Sequence, residues 1–365
     1  MDKTRYLLLE DGTVFKGKAF GAEGNVIGEV AFTTAMTGYL ETLTDASNYG
    51  QIIVHTFPLI GNYGIVRENL ESDKSFVKGY IVRDWCQEPS NFRAQGDLDT
   101  FLKEMNVPGL YGIDTRSLTK IIRNNGLMKG MILSELPEDT SALIAEMKGY
   151  EIADAIAAVA TGETSEIKAE GEAICSVTVL NLGSKKDNDI QLQKRGCDVK
   201  VVPYNTTAEA ILAEKPDGVL ITNGPGNPAE NAEVIAEVKK LRESGVPVFG
   251  IGLGHEIMAI TAGAQTEKLK YGHRGGQPAK DKLNDRVIIT TQNHCYHVLV
   301  DSLPECAELT YVNVNDGTCE GIKYTDYPAA SVQFTPETQT GHIGLQTVFD
   351  DFIATMKEVG VNAIK

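Results

Sequence analysis

The chain has 365 residues, 42% of them hydrophobic, and a formal charge of −16 at pH 7. That length exceeds what one ordinary core fills, and the unbiased composition indicates a folded globular protein of two domains, which excludes a disordered or fibrous chain. The acidic charge repels phosphate backbones and argues against a nucleic-acid partner.

The opening stretch Met1–Glu10 is charged, and its apolar run ends at Leu9, too short for a secretion signal or a membrane span. A cytoplasmic location is expected. Short alternating runs with turn signals follow: Tyr6–Glu10, the turn at Asp11-Gly12, Val14–Gly17, then Gly28–Ala35. Residues 1–150 are therefore expected to form a mainly β domain with a few helices. Residues 151–173 include Asp154–Glu172, rich in Ala, Glu, Thr and Gly and lacking aromatics, and are expected to form a weakly packed linker. From residue 174 strand and helix alternate: Ser176–Asn181, a helical stretch ending at Gly196, Asp198–Pro203, a helix around Thr207–Glu214, Gly218–Thr222, a helix over Ala229–Glu243 and the strand Pro247–Ile251. Apolar strands separated by single helices predict an α/β domain over 174–365, with a central, mostly parallel sheet flanked by helices. Ligands of such sheets bind at the carboxyl ends of the strands.

Two loops fall at that edge. Asn223-Gly-Pro-Gly-Asn-Pro228 follows an apolar strand and precedes a helix, so its backbone N–H groups are placed either for an anion or oxyanion or simply in a turn. The second loop lies within Val246–Gly263, a buried strand, a sharp glycine turn and an amphipathic helix. This is the frame that carries a catalytic nucleophile in many α/β hydrolytic enzymes. Gly250 and Gly254 have the spacing of the outer glycines of such an elbow, yet the nucleophile's own place is Gly252, which has no side chain. A dinucleotide fingerprint, Gly-x-Gly-x-x-Gly, would need glycine where His255 stands, and fails.

The six cysteines, Cys86, Cys175, Cys197, Cys295, Cys306 and Cys319, form no Cys-x-x-Cys pair. That argues against a disulfide framework or a zinc site and leaves them mostly as small core residues. His55, His255, His273 and His342 show no metal-ligand spacing and are expected in core or solvated roles.

The elbow, the loop Asn223–Pro228, the run Thr290–His294 and Val332-Gln-Phe-Thr-Pro-Glu337 resemble, in order and spacing, the class I glutamine amidotransferase domain. In the N-terminal half, Met36–Asp45, Phe57–Asn62, Ser90–Arg93 and Gly112–Thr119 resemble the small chain of carbamoyl-phosphate synthase, so the resemblance covers nearly the whole chain. It implies a subunit that hydrolyses glutamine and passes ammonia to a large synthetase chain, for carbamoyl phosphate used in pyrimidine or arginine synthesis. ATP and Mg²⁺ are then expected only on the large chain, with no cofactor or metal in this one.

In that family a cysteine attacks the amide, a histidine takes its proton and a glutamate orients the histidine. Here the cysteine position is Gly252 and the histidine position is Thr335; only the glutamate position, Glu337, matches. Ser47, Gly224, Gly226, Leu253 and Asn293 match glutamine-binding positions. Cys295 and Tyr296 stand where the family has glycine and phenylalanine, and Glu256 stands where it has glutamine. Glu256 is either a first-turn acid interacting with the helix dipole or a charge that alters the pocket. The resemblance thus implies a subunit without glutaminase activity in an ammonia-using complex. Its rivals are a non-catalytic module that senses glutamine or another metabolite, and a glutaminase using Cys295 beside His294 or His297.

Overall fold

The computed structural model describes residues 3–160, 162–336, 345 and 347–363. It divides into two compact units, one running to Ala153 and taking in Lys270–Arg274, the other formed by Asp154–Leu269 and the chain from Gly275 onward.

Seven strands close the barrel of the first unit: β1 Thr4–Leu9, β2 Val14–Gly21, β3 Val26–Thr33, β4 Gln51–His55, β5 Gly79–Val82, β6 Pro108–Tyr111 and β7 Met128–Leu133, in the order β1-β2-β6-β5-β4-β3-β7. The turn read at Asp11-Gly12 joins β1 to β2, with the Asp11 carboxylate accepting from the Thr13 N–H at 2.8 Å. Strands β3, β4, β5 and β6 run parallel to one another in succession. Every residue of β4 and β5 is buried, as strands at the middle of a parallel set are.

Arg5 ties three strands of this barrel together. It is 4% exposed, and its guanidinium donates to the carbonyls of Phe20 at 3.3 Å, Gly109 at 2.9 Å and Ala22 at 3.0 Å.

The second unit is built on a ten-stranded sheet. Its strands are β8 Ser165–Ile167, β9 Cys175–Asn181, β10 Cys197–Pro203, β11 Gly218–Ile221, β12 Val248–Ile251, β13 Thr266–Asp281, β14 Arg286–Val298, β15 Ala307–Asn313, β16 Cys319–Tyr324 and β17 Ala329–Val332, in the order β14-β13-β15-β16-β17-β12-β11-β9-β10-β8. The five central strands, β10, β9, β11, β12 and β17, are parallel. The antiparallel half, β13 to β16, extends the sheet beyond what the pattern predicted, because its long hairpins alternate in polarity and lack the continuous apolar signature of the parallel strands.

Helices cover both faces of the parallel block. Val219 and Ile221 of β11 pack with helices Ala208–Ala213, Ala232–Ser244 and Leu253–Ala262 on one side. Leu220, pointing oppositely, packs with Leu192 and with Phe349, Phe352 and Met356 of the C-terminal helix Thr347–Ala363. The helix read over Ala229–Glu243 begins later, at Ala232, because Pro228–Glu230 form a separate short turn with Asn227 accepting from the Ala229 N–H at 3.1 Å.

Residues 151–173 are more structured than a weakly packed linker. They hold a helix at Ala155–Val159, and Ala155 and Ile156 are buried. They also supply β8, which pairs antiparallel with β10. The aromatic-free composition hid this because small residues suffice where a segment only caps the edge of a sheet.

Replacing Arg5 by Met would remove its hydrogen bonds to three buried residues' carbonyls and is expected to lower the unfolding free energy by about 3 kcal/mol, measured by urea denaturation. A loss below about 1 kcal/mol would show that Arg5 does not hold β1, β2 and β6 together.

Candidate functional site

The parallel register sets the carboxyl ends of neighbouring strands side by side: Ile221 of β11 is opposite Gly250 of β12, and Ile251 of β12 is opposite Val332 of β17. The loop Thr222–Pro228, the elbow at Gly252 and the segment Gln333–Thr335 therefore leave the sheet together.

At the elbow the chain turns from β12 into the helix Leu253–Ala262 within one residue. Gly252 has φ 57° and ψ −112°, a region that side-chain-bearing residues enter only under strain. Three backbone hydrogen bonds hold the turn: Gly252 N–H to the Val332 carbonyl at 2.9 Å, Gly254 N–H to the Thr222 carbonyl at 3.1 Å, and Glu256 N–H to the Gly252 carbonyl at 3.1 Å. The outer glycines are required by close approach, since a Cβ on Gly254 would lie 2.2 Å from the Ile221 carbonyl oxygen and one on Gly250 2.5 Å from the Met258 sulfur.

The loop Asn223–Pro228 packs tightly on this turn. A Cβ on Gly224 would lie 2.3 Å from the Leu182 carbonyl oxygen and 3.0 Å from Leu253. Gly226 has φ 93°. Asn223 is anchored away from the elbow, donating to the Gly183 carbonyl at 3.2 Å and accepting from Asn188 Nδ2 at 3.1 Å. Its Cβ is the nearest neighbour that a side chain at 252 would meet, at 3.2 Å. The N–H groups of Gly224 and Leu253 are bonded to no protein acceptor among the described residues. They can donate to a ligand oxygen, but nothing at 252 can attack the carbon that bears it.

Thr335 is buried, and both its N–H and its hydroxyl donate to the Thr291 carbonyl, each at 2.9 Å. The hydroxyl thus serves to hold this segment against β14. Glu337 and His342 lie outside the described residues.

Glu256 is 3% exposed and accepts from Gln333 Nε2 at 3.0 Å. Burial pushes its carboxyl up to about 8, against the opposing effect of that hydrogen bond. Of the two readings of Glu256, that burial favours a neutral acid near neutral pH over a pocket charge. Gln333 Oε1 has no hydrogen-bond partner among the described residues, and a protonated carboxyl, unlike a carboxylate, has an O–H that can donate to such an oxygen. Beside it His255 is fully buried, with Nδ1 2.8 Å from Ser331 Oγ, and burial pushes it down to about 3. It is a neutral core residue. His55 has the same role in the first unit, between the Ala35 carbonyl at 2.9 Å and the Tyr80 hydroxyl at 2.9 Å.

Asn293, Cys295 and Tyr296 lie on β14. Cys295 is half-buried and alternates with His294, whose ring contacts the Tyr296 carbonyl at 2.6 Å and Gln292 at 3.1 Å. A strand offers no helix N-terminus to favour a thiolate, so the fold gives Cys295 none of the elbow's activation. Ser47 belongs to the first unit, on the turn Ala46–Asn48, where its N–H donates to Asp45 at 2.9 Å. Asn188, Gln333 and Thr291 were not singled out by sequence, because no local pattern marks a side chain that acts by contacting a distant loop.

Two substitutions test this geometry. Gly252→Ala is expected to lower the unfolding free energy by about 2 kcal/mol, through strain and the Asn223 contact. Gly263→Ala, at the helix C-cap with φ 102° and open space around it, is expected to cost only about 1 kcal/mol. Equal losses would mean that Asn223 does not crowd the elbow. For Glu256, the folded carboxyl keeps its proton to about 8 whereas an unfolded one loses it near 4.5. Its stabilisation is thus complete below about pH 4.5 and lost as pH rises through about 8. Glu256→Gln should gain on the parent by on the order of a few kcal/mol between about pH 5 and 9; a pH-independent difference would show that Glu256 is not buried as an acid.

Residues 7–132 match the family described as carbamoyl-phosphate synthase small chain, CPSase domain, and residues 180–355 match glutamine amidotransferase class-I. The carbamoyl phosphate synthase small chain of Clostridium perfringens is 47% identical over 348 residues, covering 95% of this chain and 98% of that protein. That of Fusobacterium nucleatum is 46% identical over 352 residues, 96% and 97%, and that of Bacillus caldolyticus 44% over 357 residues, 97% and 97%. Because this identity runs through both units and nearly the full length of each relative, the chain belongs to the carbamoyl phosphate synthase small-chain family.

Proposed function

We propose that this chain is the small chain of a carbamoyl phosphate synthase that has lost its own glutaminase activity, and that it supports a large synthetase chain supplied with free ammonia. The observation that carries this reading is the elbow itself. Its backbone is set for a nucleophile while residue 252 is glycine, and the hydroxyl at the base position, Thr335, is committed to the Thr291 carbonyl. Without a thiol no thioester forms, and Thr335 has no imidazole to accept a thiol's proton or return it to the leaving ammonia. The remaining N–H donors at Gly224 and Leu253 could hold an amide oxygen, which favours binding without turnover.

In this reading ATP and Mg²⁺ are used on the large chain, and the product, carbamoyl phosphate, serves pyrimidine or arginine synthesis. The chain's contribution is to hold the large chain in an active conformation. A sensor of glutamine or a related metabolite, independent of any large chain, is the second reading, and the same two N–H donors support it.

The test is co-purification with the cognate large chain, followed by carbamoyl phosphate synthesis from ammonium or from glutamine. Ammonium should drive synthesis and glutamine should not, with no glutamate released above background. Steady, enzyme-dependent glutamate release would overturn the proposal, and its disappearance in Cys295→Ala would assign the activity to β14. A chain that binds glutamine but no large chain would favour the sensor. The triple variant Gly252→Cys, Thr335→His, Glu256→Gln should gain glutamine hydrolysis that no single variant shows, because triad members act as a unit.

A further inference from the structure

Two cysteines away from the elbow are placed for chemistry of their own. Cys175 opens β9 and Cys197 opens β10, and the parallel register sets them directly opposite each other. Their sulfur atoms are 3.1 Å apart. Cys197 is fully buried, whereas Cys175 keeps 9% exposure at the strand end, which makes it the more accessible residue of the pair. The strands are fixed at this end by Ile174 N–H donating to the Gly196 carbonyl at 2.8 Å, so the pair is held together by backbone rather than by side-chain chance.

We propose that Cys175 and Cys197 form a modification site: a dithiol that a two-electron oxidant of the peroxide class converts reversibly to a disulfide, closing the β9–helix–β10 crossover. The Cys175 thiolate attacks one peroxide oxygen, the O–O bond breaks, and hydroxide leaves, giving a sulfenic acid. The Cys197 sulfur, losing its proton, then attacks the Cys175 sulfur; the S–S bond forms, the S–O bond breaks and water leaves. Two thiols and one hydrogen peroxide thus become one disulfide and two waters, and an external dithiol reverses the change by exchange. The sulfurs need approach by only roughly 1 Å to reach disulfide length.

The order of attack follows from the environment. The hydrogen bond between the thiols holds Cys175 below its ordinary value, while the same bond and burial push Cys197 up. The thiol of the more exposed residue is therefore the better nucleophile and the buried one resolves it. The closed loop contains the helix Lys186–Lys194, whose Asn188 holds Asn223 beside the elbow. Oxidation would thus restrain the crossover that borders the candidate site.

The test uses the full chain, reduced, exposed to hydrogen peroxide near neutral pH, then alkylated and mapped by mass spectrometry. The expected product is one linked pair of peptides containing Cys175 and Cys197, with the intact mass lowered by two hydrogens. The oxidised chain should melt several degrees higher, through loop closure in the unfolded state, and return to the original melt with dithiothreitol. Cys175→Ser should abolish both changes, whereas Cys197→Ser should leave a Cys175 sulfenic acid that dimedone traps. Mapping of the parent chain decides the matter even if a variant misfolds. Alkylation of both Cys175 and Cys197 after peroxide treatment, or a link from either to Cys86, Cys295 or Cys306, would overturn the proposal.

Discussion

The organisation of the second unit depends on one backbone turn. Gly252 sits where β12 ends and the helix Leu253–Ala262 begins, with its N–H given to Val332 of the next strand and its carbonyl to the first turn of the helix. Both polar groups of this peptide are committed, so the φ and ψ of residue 252 are set by the sheet and the helix and not by its side chain. A nucleophile placed there would sit in a strained conformation held by its surroundings. Glycine occupies the same conformation without that strain.

The residues around the turn follow the same logic. Asn223 bonds to Gly183 and Asn188, Thr335 to Thr291, and Glu256 to Gln333. Each polar side chain finds its partner in a segment remote in sequence or across the turn, and burial keeps the one acid among them mainly protonated near neutrality. A charged Glu256 in this position would carry a desolvation penalty that the hydrogen bond from Gln333 offsets only in part. As a neutral acid it fits the space of an amide, which reconciles the change of residue type with an undisturbed helix. At the elbow the backbone N–H groups of Gly224 and Leu253 are left without a protein acceptor among the described residues, and the hydroxyl of Thr335 is bonded to the Thr291 carbonyl.

Much of this was legible in the chain. The parallel strands β9 to β12, the elbow glycines and the loop Asn223–Pro228 fall where apolar runs and turn residues placed them, because strand burial on both faces and tight turns leave local marks in composition; the fifth parallel strand, β17, was not read as a strand. The vacancy at Gly252 and the threonine at 335 were visible for the same reason: each lies within a motif of fixed spacing. The small helix and edge strand within 151–173 were not, since Ala155 and Ile156 are buried by residues remote in sequence. The antiparallel strands β13 to β16 were likewise obscured, because hairpins with one wet face give only a weak alternation.

What the sequence by itself determined is the architecture and the absence of a nucleophile at the elbow, both properties of residue type at a given position. What only the tertiary structure decided is the state of the residues that remain. Glu256 is held mainly neutral because the fold buries it, against the opposing hydrogen bond from Gln333, 77 positions along the chain. The thiols of Cys175 and Cys197, 22 residues apart, become a pair because a parallel crossover sets two strand ends in register. Protonation and reactivity depend on solvent exclusion and on partners brought from afar, and no local pattern of residues carries that information.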